Sequence, residues 1–233
     1  MGIARKLKSF GIENTIVSDN GIHFPNAHRG GQRSKKSPFR ILFVGTLSEQ
    51  KGFGTLVDAC GGLVSDGHSF EVHAMGEWGS EKFKHQTVER IHQRGLERHF
   101  ILHGLTHGKK KAELYTKSSV LVLPSFIEGQ PLVILEALSF GVPVISTYVG
   151  GIPDTVENKK NGFLIDPGDH VELGEKIRFL MNNPGVNQQM SQDNLKLYQE
   201  RFTEDAFLKT QVYWLKQSAR GELKPHGQFV QSP

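Results

Sequence analysis

The chain has 233 residues, 37% of them hydrophobic and 22% charged, with a formal net charge of +4. That balance fits one large globular domain or two small ones and excludes low-complexity and collagen-like chains. The single cysteine, Cys60, excludes a disulfide framework and a thiolate metal site.

The stretch from Met1 to Lys8 lacks the apolar core of a signal peptide, and no apolar run is long enough to span a bilayer. Lys6 stands where a myristoylation signal takes Ser or Thr. The expected location is cytoplasmic, at most peripheral at a membrane. Residues 28–38, His-Arg-Gly-Gly-Gln-Arg-Ser-Lys-Lys-Ser-Pro, read as a linker or mobile loop. Arg29, Arg33, Lys35, Lys36 and Arg40 concentrate positive charge there without interleaved aromatic residues. A solvated linker is the reading; nucleic acid is not an expected partner, and membrane contact through anionic lipid is possible for such a run but has no support.

From Phe39 onward short β-rich runs alternate with helical ones. Residues 40–45 read as a strand, 52–63 as a helix, 70–75 as a strand and 81–94 as an amphipathic helix. A third strand at 100–103 precedes a short helix around 110–117, and a fourth at 120–123 precedes an apolar helix over 131–140. Strands at 142–146 and 162–165 follow. Beyond Pro167 the pattern is helical, with candidates at 171–181, 187–201 and 204–219, before a polar tail. Alternation with apolar strands predicts an α/β, doubly wound parallel sheet of Rossmann-like type, covered by helices on both faces. Ligands in such sheets sit beyond the carboxyl ends of the strands. Five distinctive loops lie there: residues 45–52, 76–79, 104–106, 125–130 and 150–151.

Glu128-Gly-Gln-Pro-Leu-Val-Ile-Leu-Glu136 sets two carboxylates eight positions apart, the first in a Gly/Pro loop and the second in the apolar helix. Pro131 suits the first helical position and Gly141 the C-cap. Glu136 has no charged neighbour at helical spacing within its run, and an unpaired buried carboxylate is costly. It therefore needs a partner from elsewhere, for which ligand hydroxyls would serve; the alternative is a narrow solvent-facing stripe. Gly129 to Val133 opens the helix, and its N–H groups and dipole suit a diphosphate. Lys51 is a candidate point charge for the same group, or a solvated cap. Glu136 lies about 7 Å along the helix axis from Pro131. Carboxylates on either side of a phosphate site suit a nucleotide sugar, with ribose at one end and hexose at the other.

No full G-x-G-x-x-G follows a strand and no Walker sequence appears, so neither dinucleotide oxidoreduction nor P-loop chemistry is expected. His85, Glu89 and His92 share a helical face and read as solvated rather than metal-binding. His103 and His107 read as loop residues.

Taken together, Phe43-Val-Gly-Thr-Leu-Ser-Glu-Gln-Lys-Gly52, the segment from Leu123 to Ala137, Gly141-Val-Pro-Val-Ile-Ser146, Val149-Gly-Gly-Ile-Pro-Asp154 and Asn161-Gly-Phe-Leu-Ile-Asp-Pro-Gly-Asp169 closely resemble the C-terminal, donor-binding domain of retaining family-4 glycosyltransferases of the GT-B fold. The resemblance covers nearly the whole chain. It implies that Glu128 is the first glutamate of the E-x7-E motif, beside the donor hexose and catalytic, and that Glu136 grips the ribose hydroxyls. It further implies that backbone groups of Gly129, Gln130, Leu132 and Val133 meet sugar and diphosphate. Lys51 meets the phosphates in the loop that starts at Gly45 and Thr46, and Leu105 and Thr106 meet the base. No cofactor and no catalytic metal is implied; the donor is a UDP-, GDP- or ADP-sugar and the acceptor a glycan or lipid-linked molecule. Whether Glu128 is a nucleophile or stabilises charge in a same-face displacement stays open.

Two departures accompany the resemblance. The family usually carries Arg where this chain has Thr46. Its acceptor-binding N-terminal domain is also expected to be missing here, residues 1–27 resembling only its last turn and the crossing linker. The expected organisation is a remnant and linker over 1–38, the nucleotide-sugar domain over 39–219 and a tail over 220–233. A separate N-terminal-domain polypeptide is then an expected partner, and the chain alone should turn over poorly. A non-catalytic nucleotide-sugar-binding or regulatory module and a sugar-nucleotide epimerase are the rival readings.

Overall fold

Every strand of the sheet runs parallel, which six short apolar runs joined by long, mostly helical connections can do without hairpins. The computed structural model describes residues 19–23 and 38–220. The expected remnant and linker, apart from 19–23 and Pro38, and the tail beyond Arg220 lie outside the described residues. The strands are β1 (Phe39–Val44), β2 (Phe70–Met75), β3 (Phe100–Leu102), β4 (Val120–Leu123), β5 (Val144–Thr147) and β6 (Gly162–Ile165), in the spatial order β3-β2-β1-β4-β5-β6. Sequence order reverses between β1 and β4, so the switch point of this Rossmann-like sheet lies there.

The helices are α1 (Phe53–Ser65), α2 (Glu81–Gln93), α3 (Gly108–Lys117), α4 (Leu132–Ser139), α5 (His170–Asn182), α6 (Pro184–Leu197) and α7 (Glu204–Ala219). Right-handed crossovers put α1 and α2 on one face and α3 and α4 on the other. Packing of α5 on α1 and of α6 on α4 completes the layers. Strands β4, β5 and β6 are buried throughout, as both-face coverage requires. Strand β2 departs from the expected non-alternating pattern: Glu71 and His73 are half-exposed between buried Phe70, Val72 and Ala74.

The core centres on Ile41, Phe43, Phe53, Leu56, Leu121 and Leu135, all fully buried, with the Phe43 and Phe53 rings edge to face at 4.9 Å. Cys60 is buried in this core, and burial pushes its thiol well above the usual range, making it inert. Side-chain caps set several helix starts: Ser80 accepts from Phe83 N–H, Asp169 from Glu172 N–H and Thr203 from Ala206 N–H. Helix α4 starts one residue later than expected, with Pro131 in extended conformation as its N-cap rather than its first turn. It stops at Gly141, whose φ of 62° allows Val142 N–H to reach Ala137 C=O at 2.8 Å. The helix expected over 187–201 begins earlier, at Pro184, and ends in a π-helical turn, Tyr198–Phe202. That turn holds the described N-terminal residues: Ile22 N–H donates to Phe202 C=O at 3.0 Å, and Arg201 pairs with Asp19 at 2.9 Å.

Candidate functional site

Backbone contacts fasten the loops at the carboxyl ends of the strands to one another. Gly52 has φ 72°, and a Cβ there would stand 2.0 Å from Pro124 C=O, so the β1 loop abuts the end of β4 directly. Phe126 N–H donates to Gln50 C=O at 2.9 Å across the same seam. Next to β5, Gly150 has φ 57° and a Cβ would fall 2.1 Å from Glu128 C=O, while Gly151 N–H donates to Gly129 C=O at 2.6 Å. The segment carrying Glu128 is thus clamped from both flanks.

Within that clamp the Glu128 side chain is 8% exposed. Its Oε1 accepts from Lys51 Nζ at 2.8 Å and from Ser125 Oγ at 2.9 Å. Ser125 is fully buried, and its C=O accepts from Thr147 Oγ1 at 2.7 Å, linking Glu128 to β5. Lys51, expected at the phosphates, therefore touches the first carboxylate in this structure.

Glu136 is 14% exposed at the side chain. The partner expected from outside its own helix is present, since α3 supplies two. Lys111 Nζ donates to Oε1 at 2.6 Å and Tyr115 Oη to Oε2 at 2.7 Å. Spacing along the glutamate's own helix could not name these partners, because they come from a different helix. A signal was present: Lys109, Lys110 and Lys111 occupy the first turn of α3, where the helix dipole disfavours cations, and Tyr115 follows Lys111 by one turn.

Of the other expected site residues, Gly129, Thr46, Leu105 and Leu132 are exposed at the rim. Gly45, Thr106 and Val133 are half-exposed there, Thr106 Oγ1 donating to Gly104 C=O at 3.2 Å. Gln130 uses its side-chain oxygen to accept from Asn20 N–H at 3.1 Å, tying the N-terminal segment to the rim. Phe126, Ile127 and Tyr148 add exposed apolar surface beside them. A cavity of about 410 Å³ opens along the β1 and β2 loops, lined by Thr46, Ser48, Gln50, Lys51, Gly79 and Phe83. A larger one, about 490 Å³, lies away from these carboxylates among Phe163, Lys176, Phe179 and Met190.

His103 is more than a loop residue. Its Nε2 lies 2.9 Å from His73 Nδ1 with the rings stacked, His73 Nε2 lies 3.1 Å from Glu71, and Arg40 donates to Glu71 at 2.9 Å. Sequence gave no sign of this cluster, since strand register alone brings β2 and β3 side chains together. His85, Glu89 and His92 are exposed, and no group of three or more candidate ligands able to hold a metal occurs among the described residues. No helix among the described residues is long and apolar enough to cross a membrane.

Residues 26–197 match the family model described as glycosyl transferases group 1. The chain is 25% identical over 204 residues to the capsular polysaccharide biosynthesis glycosyltransferase CapM of Staphylococcus aureus, covering 84% of this chain and 51% of that protein. It is 27% identical over 226 residues to the glycogen synthase of Mycobacterium tuberculosis, covering 92% and 51%. The chain spans about half the length of these curated relatives. Among solved structures, the lipopolysaccharide outer core galactosyltransferase WaaB in its apo form superposes with a TM-score of 0.76 at 20% identity, covering 95% of this chain and 60% of that one. Anabaena Alr3699/HepE in complex with UDP and glucose gives 0.69 at 22%, covering 77% and 48%. At these identities the likeness shows the fold, a single Rossmann-like half-domain of the GT-B kind.

Proposed function

The chain belongs to the glycosyl transferases group 1 family, and from that premise we propose that its rim binds a nucleoside-diphosphate sugar and serves retaining transfer of a hexosyl group, without a catalytic metal. The observation that carries this reading is the placement of Glu128 and Glu136 around the exposed start of α4, each carboxylate held by a lysine, Lys51 at 2.8 Å and Lys111 at 2.6 Å.

In this reading the diphosphate rests against the backbone of Gly129 to Val133, where N–H groups and the helix dipole favour an anion. Glu136 accepts the ribose hydroxyls, and the loop of Leu105 and Thr106 takes the base. The hexose lies over Glu128. Both described contacts to that carboxylate fall on Oε1, and we assign Oε2 to the anomeric carbon, where it meets the positive charge that develops as the bond to phosphate breaks. The bonding pair leaves with the phosphate oxygen, and Lys51 offsets the charge gained there. Retention follows either from a covalent glycosyl intermediate on Glu128 or from same-face attack by an acceptor hydroxyl whose proton passes to the departing phosphate. UDP-, GDP- and ADP-sugars all fit this description, and HepE, a structural neighbour, is recorded with UDP and glucose.

The exposed apolar side chains of Phe126, Ile127 and Leu132 ring the site. We assign this ring to a second domain that presents a glycan or lipid-linked acceptor, in keeping with the chain's spanning about half of its relatives. Alignment of acceptor against donor is a large part of catalysis, so the chain alone transfers slowly. The anomer of the first sugar product, read by proton NMR from UDP-, GDP- and ADP-hexoses, tests the proposal. Retained configuration supports it; inverted configuration refutes it. One observation favours a second reading, a binding module without catalysis: exposed Thr46 replaces the expected cation. Product formation that depends on Glu128 rules that reading out.

A further inference from the structure

Glu136 and its two donors form a constellation whose purpose packing alone does not explain. Tyr115 is fully buried, its ring stacks on Phe140 at 5.4 Å, and its hydroxyl reaches Glu136 Oε2 at 2.7 Å and Val133 C=O at 3.3 Å. Burial, then the neighbouring Glu136 charge, raises the phenol well above its usual range, so it remains a proton donor. Lys111 stands in the first turn of α3, a position that disfavours a cation, and recovers that cost through its 2.6 Å contact to Oε1.

A carboxylate oxygen offers two lone-pair sites, and each oxygen of Glu136 accepts one of these two donors. One site on each oxygen remains, on a side chain that is still 14% exposed. That arrangement suits vicinal hydroxyls: two acceptors at fixed spacing in one plane. We propose that Lys111 and Tyr115 are positioning residues of the nucleoside subsite, fixing the plane of the Glu136 carboxylate so that both oxygens meet the 2′- and 3′-hydroxyls together and a 2′-deoxynucleotide is rejected. The proposal rests on the assignment of Glu136 to ribose. Without Lys111 the carboxylate turns about its side-chain torsions, and binding to one hydroxyl no longer presets binding to the other.

The test compares UDP, GDP and ADP with their 2′-deoxy counterparts by calorimetry on the wild-type chain and on Lys111→Met, Lys111→Arg, Tyr115→Phe and Glu136→Ala. For the nucleotide bound best, the wild type should favour the ribo form by roughly tenfold or more. Lys111→Met and Tyr115→Phe should each reduce that preference to within about twofold, while Lys111→Arg retains most of it. A merely structural lysine would weaken both forms equally and leave the ratio intact. If Glu136→Ala abolishes the preference while Lys111→Met and Tyr115→Phe keep it, positioning is refuted and the ribose assignment stands. If Glu136→Ala keeps the preference, both fall. Tyr115→Phe removes a single hydroxyl and carries the test should Lys111→Met fail to fold.

Discussion

Lys51 Nζ contacts Glu128 Oε1 at 2.8 Å across 77 positions of sequence, joining the loop after β1 to the loop after β4 at the sheet's switch point. With Glu128 only 8% exposed at the side chain, the pair determines whether a nearly buried carboxylate is tolerated. Lys51→Ala leaves Ser125 as the remaining described partner and should cost about 1–3 kcal/mol of unfolding free energy. Adding Glu128→Gln removes the stranded charge, so the double variant should recover part of that loss. Equal stability of single and double variants in urea titrations would show that the pair is not coupled.

Gly150→Ala tests the clamp on Glu128 from the other flank. Its Cβ would fall 2.1 Å from Glu128 C=O at a φ of 57°, so the loop carrying Glu128 must shift. Nucleoside-diphosphate binding should weaken by at least about tenfold, roughly 1.4 kcal/mol, with far-ultraviolet circular dichroism unchanged. Gly62→Ala is the control: a Cβ there meets nothing within 4 Å, and Ala favours the helix. Undiminished binding by Gly150→Ala would show that the clamp does not set the loop.

The His73 and His103 pair predicts a pH dependence. Burial, then the charges of His73 and Lys110, hold His103 below the usual imidazole range. The unfolded chain therefore binds this proton at higher pH than the fold does, and stability is lost as pH falls from about 6.5 toward the lower folded value. Burial opposes ionisation of Glu71, but hydrogen bonds from His73 and Arg40 outweigh it and hold the carboxyl below the usual range. Its contribution is present above the ordinary carboxylate pKa and is lost as pH falls through the folded value. Melting temperatures should decline in both windows, and His103→Gln should flatten only the upper one. Identical profiles for wild type and His103→Gln would contradict this.

Much of the fold was legible because a parallel sheet buries both strand faces and most of its crossovers carry a helix. Apolar runs such as Val120–Leu123 and punctuation such as Gly141 therefore locate the elements. The rule failed where coverage is partial, at β2, whose Glu71 and His73 alternate with core residues. At the candidate site, Glu128 and Glu136 stood out by spacing and by their apolar surroundings, but their partners did not. Lys111 and Tyr115 lie 25 and 21 positions from Glu136, and their approach depends on how α3 packs beside α4. Ser125 matters through its hydroxyl contact to Glu128 and Gly150 through backbone proximity, neither of which periodicity encodes.

Calorimetric titration of the chain with UDP, GDP and ADP tests most directly whether the rim around α4 is a nucleoside-diphosphate site gripped by Glu136, as proposed. We expect one of the three to bind and Glu136→Ala to weaken that binding by roughly tenfold or more, about 1.4 kcal/mol, when both proteins are titrated well below their melting temperatures. Absence of binding by all three, or equal binding by wild type and Glu136→Ala, would contradict the claim.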